Sequence, residues 1–245
     1  MSFFTYSTFE AIKLDELEGD NPEVVTHVKK YMIIPPPNAA VKYESNHSAG
    51  LQLQHIFQNK TGGYFVESGA NDGLHSSKTV QLENALAWTG ALIEPDPGNV
   101  LLARDKKRNA SLIPTCLSTS TKPKLSAFKA GQGVVLDISD SDLIVHCMPL
   151  HSILLALDKP SIDFLSLSVG GAELDILKTV PFDKFDIKVI MVNFEKISGG
   201  VEALQGFLSS NNYVIFPTIP AEQEKGQWAE FHRIFVKKGS GFKEE

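Results

Sequence analysis

The stretch from Gly63 to Gly73, GYFVESGANDG, constrains the fold of this chain more than any other. A short apolar run ends at Glu67, and a turn with glycines at positions 69 and 73 follows at once. Glycine tolerates positive φ in such a turn and lets a ligand approach the backbone closely. A helix is predicted to follow from Ser76 to Trp88, which makes this stretch a strand, a tight turn and a helix.

A second acidic residue follows the next predicted strand. The apolar run Ala91–Ile93 leads directly into Glu94, and a carboxylate at this place binds ribose hydroxyls in dinucleotide folds. The glycine-rich turn and Glu94 together predict a nucleoside site. The alternative is that Gly69 and Gly73 only make a tight turn and that Glu94 is a solvated strand end.

The composition predicts an ordinary soluble domain with one large core, because the 245 residues are 42% hydrophobic and 21% charged. The formal charge of −6 and the lack of a basic stripe argue against a nucleic-acid partner. The densest basic patch, Arg104–Arg108, is predicted to be a solvated helix end. We find neither a membrane-span pattern nor a signal-peptide pattern, so no membrane partner is expected. The predicted nucleoside site points to a small-molecule substrate or ligand instead. The oligomeric state is left open.

The two cysteines, Cys116 and Cys147, lie in apolar strand-like runs. They are predicted to be buried free thiols, which fits a reducing compartment, and we expect a cytoplasmic protein. Glycosylation sequons begin at Asn46, Asn59 and Asn109. We give them no weight without a signal peptide, because such triplets often arise by chance.

From Gly63 onward, strand and helix patterns alternate, which predicts a parallel sheet with helices on both faces. Strands are predicted at Tyr64–Glu67, Ala91–Ile93, Ser111–Cys116, Phe164–Leu167 and Val189–Phe194. After the first helix, further helices are predicted at Gly98–Arg108, Leu150–Leu157, Ala172–Thr179 and Gly200–Ser210. A small β insertion is predicted at Lys124–Lys129 and Leu143–Met148. Finally, Tyr213–Pro217 and Phe231–Lys237 are predicted to pair as an antiparallel hairpin at one edge.

Residues 1–48 are predicted to form an N-terminal arm and helix, and residues 49–245 a single domain. Asn21-Pro22-Glu23 is typical of a helix start, and a second short helix is predicted over Leu51–Gln58. These helices are expected to cap the sheet edge or to cover the ligand. Three histidines of this region lack metal-ligand spacing, so no metal site is predicted: His27, His47 and His55.

A parallel sheet that closes with an antiparallel hairpin is typical of methyltransferases that use S-adenosylmethionine. It is unusual for NAD-type oxidoreductases, the weaker alternative. Two stretches carry a closer resemblance: Phe65–Gly73, continued by Ser77–Thr79 and Trp88–Pro95, and then Asp163–Pro181. Over about residues 50–237 the chain resembles the FkbM-type methyltransferases, particularly their animal members. The resemblance implies a Rossmann-like methyltransferase fold, mostly parallel, with a C-terminal antiparallel hairpin.

The resemblance also implies S-adenosylmethionine as the cofactor and a set of residues that bind it. Glu94 would hold the ribose hydroxyls. The segment after the third strand would border the adenine through Leu117 and Ser118. The first turn would line the methionine and ribose side with Glu67, Gly69, Ala70, Asn71 and Gly73.

The second signature departs from the family pattern. Ser168 and Gly170 stand where the family has acidic residues, and Asn193 replaces a glutamate of the fifth strand. Losing a general base typically costs about a hundred- to ten-thousand-fold in rate. Glu173 is kept, and it is either a functional carboxylate or a complement to a helix N-terminus. His75 is a candidate replacement base, with a packing role at a helix start as the alternative.

The predicted function is therefore S-adenosylmethionine-dependent O-methyl transfer to a small molecule or a sugar hydroxyl, with weak activity. The alternative is an inactive methyltransferase-fold protein that binds a small ligand without turnover. Loss of acidic residues lowers the desolvation cost of placing an apolar ligand in a pocket, which favours the alternative. The intact cofactor half of the pattern favours the enzyme.

Overall fold

The computed structural model describes residues 13–43, 48–129, 133–135, 143–217 and 231–243. The strands in these ranges are β1 Tyr64–Ser68, β2 Thr89–Ile93, β3 Ala110–Ile113, β4 Lys124–Lys129, β5 Gly133–Val135, β6 Leu143–Cys147, β7 Ser161–Leu167, β8 Asp186–Asn193, β9 Tyr213–Ile215 and β10 His232–Lys237. The helices are α1 Pro22–His27, α2 Ser48–Ile56, α3 Val80–Leu86, α4 Pro97–Asp105, α5 Leu150–Ala156, α6 Glu173–Lys178 and α7 Gly200–Ser210. A π-helical turn, Val28–Met32, continues α1.

Seven strands form one sheet in the order β3-β2-β1-β7-β8-β10-β9. The first five in this order are parallel, while β10 runs antiparallel to both of its neighbours, β8 and β9. Because the strand order reverses between β1 and β7, a crevice opens at their carboxyl ends. The prediction of a Rossmann-like methyltransferase fold with a terminal hairpin is confirmed.

Helices cover both faces of this sheet because neighbouring residues of each strand point to opposite sides. Val66 packs with α5, α6 and α7 in one apolar core, and Phe65 packs with α2, α3 and α4 in the other. The parallel strands are therefore buried on both faces, which explains their continuous apolar runs.

The N-terminal segment begins with a capped helix and ends on the sheet edge. The Asn21 side chain accepts a hydrogen bond from the Glu23 N–H at 2.9 Å, as the predicted helix start requires. Beyond α1, Ile34 and Leu112 exchange two backbone hydrogen bonds of 2.9 Å. This pairing covers the outer edge of β3, one of the two roles expected for the segment.

Several element boundaries differ from the predicted ones by about three residues or more, and two of these differences have a clear local cause. Helix α3 begins at Val80 and not at Ser76, because Ser76 has φ +58 and lies in the left-handed region that a helix excludes. Strand β3 ends at Ile113 and not at Cys116. The chain leaves the sheet there, because the Cys116 carbonyl accepts a hydrogen bond from the Met148 N–H at 2.9 Å.

The prediction of two free thiols is wrong, because Cys116 and Cys147 form a disulfide with a Cα–Cα distance of 4.4 Å. The bond joins the end of β3 to β6 of the small three-stranded sheet β5-β4-β6. The cytoplasmic location therefore loses the support that free thiols gave it. In the described part of the chain, no helix is both long enough and apolar enough to cross a membrane.

Replacing Cys116 and Cys147 together by serine is expected to lower the free energy of unfolding by about 4 kcal/mol. The disulfide closes a loop of 31 residues, and losing it restores that much chain entropy to the unfolded state. Guanidinium unfolding with and without a reductant measures the change. The double variant is the control, because a reductant must leave its stability unchanged. Equal stability of the oxidised and reduced wild type would show that the cross-link contributes nothing.

Candidate functional site

The ends of three parallel strands meet at the point where the strand order reverses. Gly69 follows β1, Glu94 follows β2 and Ser168 follows β7. The Gly69 N–H donates to the Ile93 carbonyl at 3.1 Å, and the Ser168 N–H donates to the Ser68 carbonyl at 3.1 Å. These bonds continue the sheet by one residue and fix the three segments relative to each other.

A cavity of about 230 Å³ lies between these strand ends. One part of its wall is polar and comes from the turns after β1 and β2, with Gly69, Asn71, Glu94, Asp96 and Asn99. The rest is largely apolar and comes from the segments after β3 and β7, from β4 and from α6, with Leu117, Phe128, Ser168, Val169, Gly170 and Ile176, while Lys196 after β8 adds one charged residue. The cavity therefore has an acidic end and an apolar end.

Glu94 is the buried carboxylate of the acidic end and is only 3% exposed. One oxygen accepts the Asn71 N–H at 2.8 Å and the other accepts the Asp96 N–H at 3.0 Å. Burial raises the pKa of Glu94, while these two backbone hydrogen bonds oppose the rise. The Asn99 side chain is a third donor to this carboxylate, which still leaves it capacity for another hydrogen bond, since a carboxylate has about four acceptor sites.

The turn after β1 needs glycine at position 69 for a reason internal to the protein. Gly69 has φ +80, and a Cβ atom there would lie 2.0 Å from the Ser168 carbonyl oxygen. The close approach of β1 and β7 therefore excludes any side chain at this position. Asn71 also has positive φ, at +50, and lines the cavity with Gly69.

Glu67 is buried and does not line the cavity. Its oxygens accept hydrogen bonds from the Ser77 hydroxyl at 2.7 Å, the Lys78 N–H at 2.8 Å and the Thr79 hydroxyl at 2.6 Å. The carboxylate thereby holds the segment between the glycine-rich turn and α3. Because the Lys78 N–H and the two hydroxyls find their hydrogen-bond partner in Glu67, this segment is not helical, and α3 begins only at Val80.

Arg108 is a structural residue that the sequence analysis placed wrongly in a solvated patch. It is 3% exposed, and its Nε donates to the Glu83 carboxylate at 2.8 Å. Its other nitrogens donate to the Thr79 hydroxyl at 3.0 Å, to the Ser77 hydroxyl at 3.3 Å and to the Gly73 carbonyl.

Glu173 closes the loop between β7 and α6. Its carboxylate accepts backbone hydrogen bonds from Val169 at 2.7 Å, Gly170 at 3.0 Å and Gly171 at 2.8 Å. Burial raises the pKa of Glu173, and the backbone hydrogen bonds oppose that rise. The side chain is 1% exposed and does not line the cavity, so its contacts match the helix-start role and not that of a base facing a ligand.

Of the remaining candidate catalytic residues, Ser168 and Asn193 lie side by side at the ends of the paired strands β7 and β8, whereas His75 lies in the turn after β1. Ser168 lines the cavity, and its hydroxyl lies 3.3 Å from Nε2 of His232, a residue that the sequence analysis missed. The Asn193 side chain accepts the Glu195 N–H at 3.0 Å outside the cavity wall. The His75 side chain is 86% exposed and pairs with Asp72 at 2.6 Å.

Only some of the predicted cofactor residues line the cavity. Gly69, Asn71, Glu94 and Leu117 line the cavity. Four others lie behind it: Glu67, Ala70, Gly73 and Ser118, with Ala70 only 2% exposed and the Ser118 hydroxyl bonded to the Lys122 carbonyl. The described residues contain no group of three or more His, Cys, Asp or Glu side chains that could hold a metal ion.

The sheet order and the cavity at the strand ends define a Rossmann-like fold of the S-adenosylmethionine-dependent methyltransferase class. The family model described as "Methyltransferase FkbM domain" matches residues 67–215, which is more than half of the chain. The chain belongs to this family. The family implies a cofactor of the S-adenosylmethionine type.

Comparison with curated proteins gives no match. Among solved structures, a precorrin-6y C5,15-methyltransferase from Geobacter metallireducens is similar at 15% identity and TM-score 0.43, covering 82% of this chain and 94% of that one. A TehB-like methyltransferase from Corynebacterium glutamicum shows 10% identity and TM-score 0.43, covering 80% and 90%. The fibrillarin of Methanococcus jannaschii shows 12% and 0.44, covering 81% and 82%. Similarities this distant carry no argument about the acceptor.

Replacing Arg108 by methionine is expected to lower the free energy of unfolding by about 3–5 kcal/mol, because Glu83 would remain as an unpaired buried charge. Urea unfolding measures the change. Arg104→Met is the matched control: this arginine belongs to the same sequence patch but is 45% exposed, so its loss should cost less than about 0.5 kcal/mol. Similar values for the two variants would mean that the Arg108 network does not stabilise the fold.

Gly69→Ala is expected to destabilise the protein more than Gly62→Ala, although both glycines have positive φ, at +80 and +66. Alanine with positive φ costs about 1–2 kcal/mol at either position. Only at Gly69 does the new methyl group meet a backbone carbonyl, since no atom lies within 4 Å at Gly62. Thermal unfolding of the two variants compares these costs, and equal shifts would contradict the close approach of β1 and β7.

Proposed function

We propose that the protein is an S-adenosylmethionine-dependent O-methyltransferase whose cofactor binds in the cavity at the ends of β1, β2 and β7. The observation that carries the proposal is Glu94. It is a buried carboxylate at the end of β2, it lines the cavity, and it retains capacity to accept hydrogen bonds. A pair of ribose hydroxyls is the ligand group that such a carboxylate binds in related folds.

The remaining lining residues fit the rest of the cofactor. Leu117, Phe128 and Ile176 offer an apolar surface for a flat base, while Gly69 brings the backbone close to the ligand. The volume of about 230 Å³ is below the range of about 300–1,000 Å³ that is common for ligand sites. The cavity would therefore enclose only part of the cofactor.

The bound cofactor would supply an electrophilic methyl group on a sulfonium. What the chain contributes is the placement of an acceptor beside that group, and placement alone supplies much of the acceleration in such reactions. We propose a small molecule or a sugar as the source of the accepting hydroxyl, with neither nucleic acid nor membrane as a partner.

A second candidate function is ligand binding without turnover. The acidic residues among the described lining residues are Glu94 and Asp96, and both lie at the cofactor end. Ser168 and Gly170 line the other end, where the sequence analysis proposed that acidic residues had been lost. A wall without a carboxylate there favours a protein that binds the cofactor or another ligand and does not transfer the methyl group.

The cellular compartment is a separate question. A cytoplasmic location remains a prediction, but the disulfide between Cys116 and Cys147 favours an oxidising environment. The Asn59 and Asn109 sequons, dismissed for want of a signal peptide, gain weight from the same disulfide.

Titration of the purified protein with S-adenosylmethionine in a calorimeter tests the proposal. Glu94→Gln is expected to weaken binding by about 1.5–3 kcal/mol, the range for a hydrogen bond to a charged group. Glu195→Gln is the control, because Glu195 is exposed and lies outside the cavity wall.

A pH series of the same titration adds a second readout. Burial raises the pKa of Glu94 above the ordinary value of 4.5, so the wild-type affinity should fall on acidification sooner than an ordinary glutamate would cause. Glu94→Gln should lose this dependence, because glutamine does not ionise. A wild type that does not bind the cofactor, or a Glu94→Gln variant that binds it equally well, would refute the proposed site.

A further inference from the structure

A serine and a buried histidine are paired on the cavity wall, away from the Glu94 end. The Ser168 hydroxyl oxygen lies 3.3 Å from His232 Nε2. Ser168 lines the cavity, whereas His232 is 7% exposed and lies behind the serine. The two residues are 64 positions apart, and β7 and β10 bring them together on the two sides of β8.

The backbone fixes both members of the pair. Ser168 is held by its N–H bond to the Ser68 carbonyl at 3.1 Å. His232 is paired in register with Asn193 of β8, and the next residue, Arg233, donates from its guanidinium to the His232 carbonyl at 2.9 Å. The serine hydroxyl is therefore held between the cavity and the imidazole.

We propose that Ser168 and His232 form a proton relay that removes the proton from an alcohol acceptor bound in the cavity. This inference rests on the proposed methyltransferase function and names its substrate class. An imidazole with hydrogen on Nδ1 leaves Nε2 free to accept the serine hydroxyl proton. The serine oxygen then accepts the hydrogen bond of the acceptor hydroxyl. Ser168 is thus the residue that touches the substrate, and His232 acts through it.

The relay gives every proton of the proposed methyl transfer a destination. The acceptor oxygen loses its hydrogen and gains the methyl group, whose bond to sulfur breaks with both electrons left on the sulfur. The acceptor proton passes to Ser168 while the proton of Ser168 passes to His232 Nε2. The imidazolium later releases this proton to water. Histidine is the usual residue for this task because its ordinary pKa, about 6.5, lies near physiological pH.

The other candidate catalytic side chains are occupied elsewhere. The Glu173 carboxylate accepts three loop N–H groups, and the Asn193 oxygen accepts the N–H of Glu195. His75 is paired with Asp72 in solvent. Of the groups predicted to act in catalysis, the Ser168 hydroxyl is the one that lines the cavity, and its imidazole partner gives it a place to pass a proton.

Nitrogen-15 NMR of the imidazole rings tests the pair without any acceptor. At a pH where His232 is neutral, the hydrogen is expected on Nδ1, and Ser168→Ala should shift the Nε2 resonance. His232→Gln assigns the signals, and the exposed His75 is the control, because Ser168→Ala should leave its resonances unchanged. A neutral His232 with its hydrogen on Nε2 could not accept the serine proton, and this result would overturn the proposal.

Methyl transfer supplies the second readout, with labelled S-adenosylmethionine and methyl β-D-glucopyranoside as the alcohol probe. His232→Gln and Ser168→Ala are expected to lower kcat by about a hundred- to ten-thousand-fold. Wild-type rates of transfer to the glucoside by His232→Gln would overturn the relay.

The two proposals fail in different ways. A wild type that does not bind S-adenosylmethionine refutes the proposed function, whereas the imidazole measurement still reports on the pair. Where the glucoside is not a substrate, the position of the hydrogen on His232 decides the inference.

Discussion

The buried ion pair between Arg108 and Glu83 is the interaction on which the cofactor side of the structure depends. Their side chains are only 2% and 6% exposed, so neither charge has water as an alternative partner. Arg108 also bonds the Gly73 carbonyl and the hydroxyls of Ser77 and Thr79, and these hydroxyls bond Glu67. The network thereby joins the glycine-rich turn, α3 and the start of β3. A buried polar network of this kind stabilises one arrangement strongly because leaving any member unpaired is costly.

The apolar side of the cavity depends on a different kind of constraint. The disulfide between Cys116 and Cys147 and the backbone bond from Met148 to Cys116 attach the small sheet to the end of β3. That sheet supplies Phe128, and the segment after β3 supplies Leu117. The surface proposed for the adenine is therefore built from two parts of the chain whose contact a covalent bond secures.

The proposed acceptor side is where the sequence predicts a departure from the family pattern. The Glu173 carboxylate accepts hydrogen bonds from the loop after β7 and does not face the cavity. The Ser168 hydroxyl lines the cavity and contacts the His232 imidazole. This arrangement is compatible with two functions, ligand binding and methyl transfer. Without a proton acceptor the cavity binds a ligand and does not turn it over, and with the relay it transfers a methyl group to an alcohol. The position of one hydrogen atom on His232 separates these outcomes.

The sequence by itself determined the mostly parallel sheet, its terminal hairpin and the alternation of strands and helices, and it predicted which turns would form the cofactor end of the site. These depend on features that are local in the chain: apolar runs, the glycine turn of 69 to 73, and Glu94 placed directly after a strand. Helix α7 was predicted at Gly200–Ser210, where the structure has it. Local patterns suffice because a parallel sheet brings all strand carboxyl ends to one edge.

Only the tertiary structure decided what each polar side chain does. Arg108 looked like part of a solvated patch, because its partners Glu83 and Gly73 lie 25 and 35 positions away. The cysteines looked like free thiols, because nothing in the sequence shows that the end of β3 meets β6. Likewise Ser168 and His232 are neighbours only because β7 and β10 flank β8. Such contacts join residues far apart in the chain, and only the folded chain brings them together.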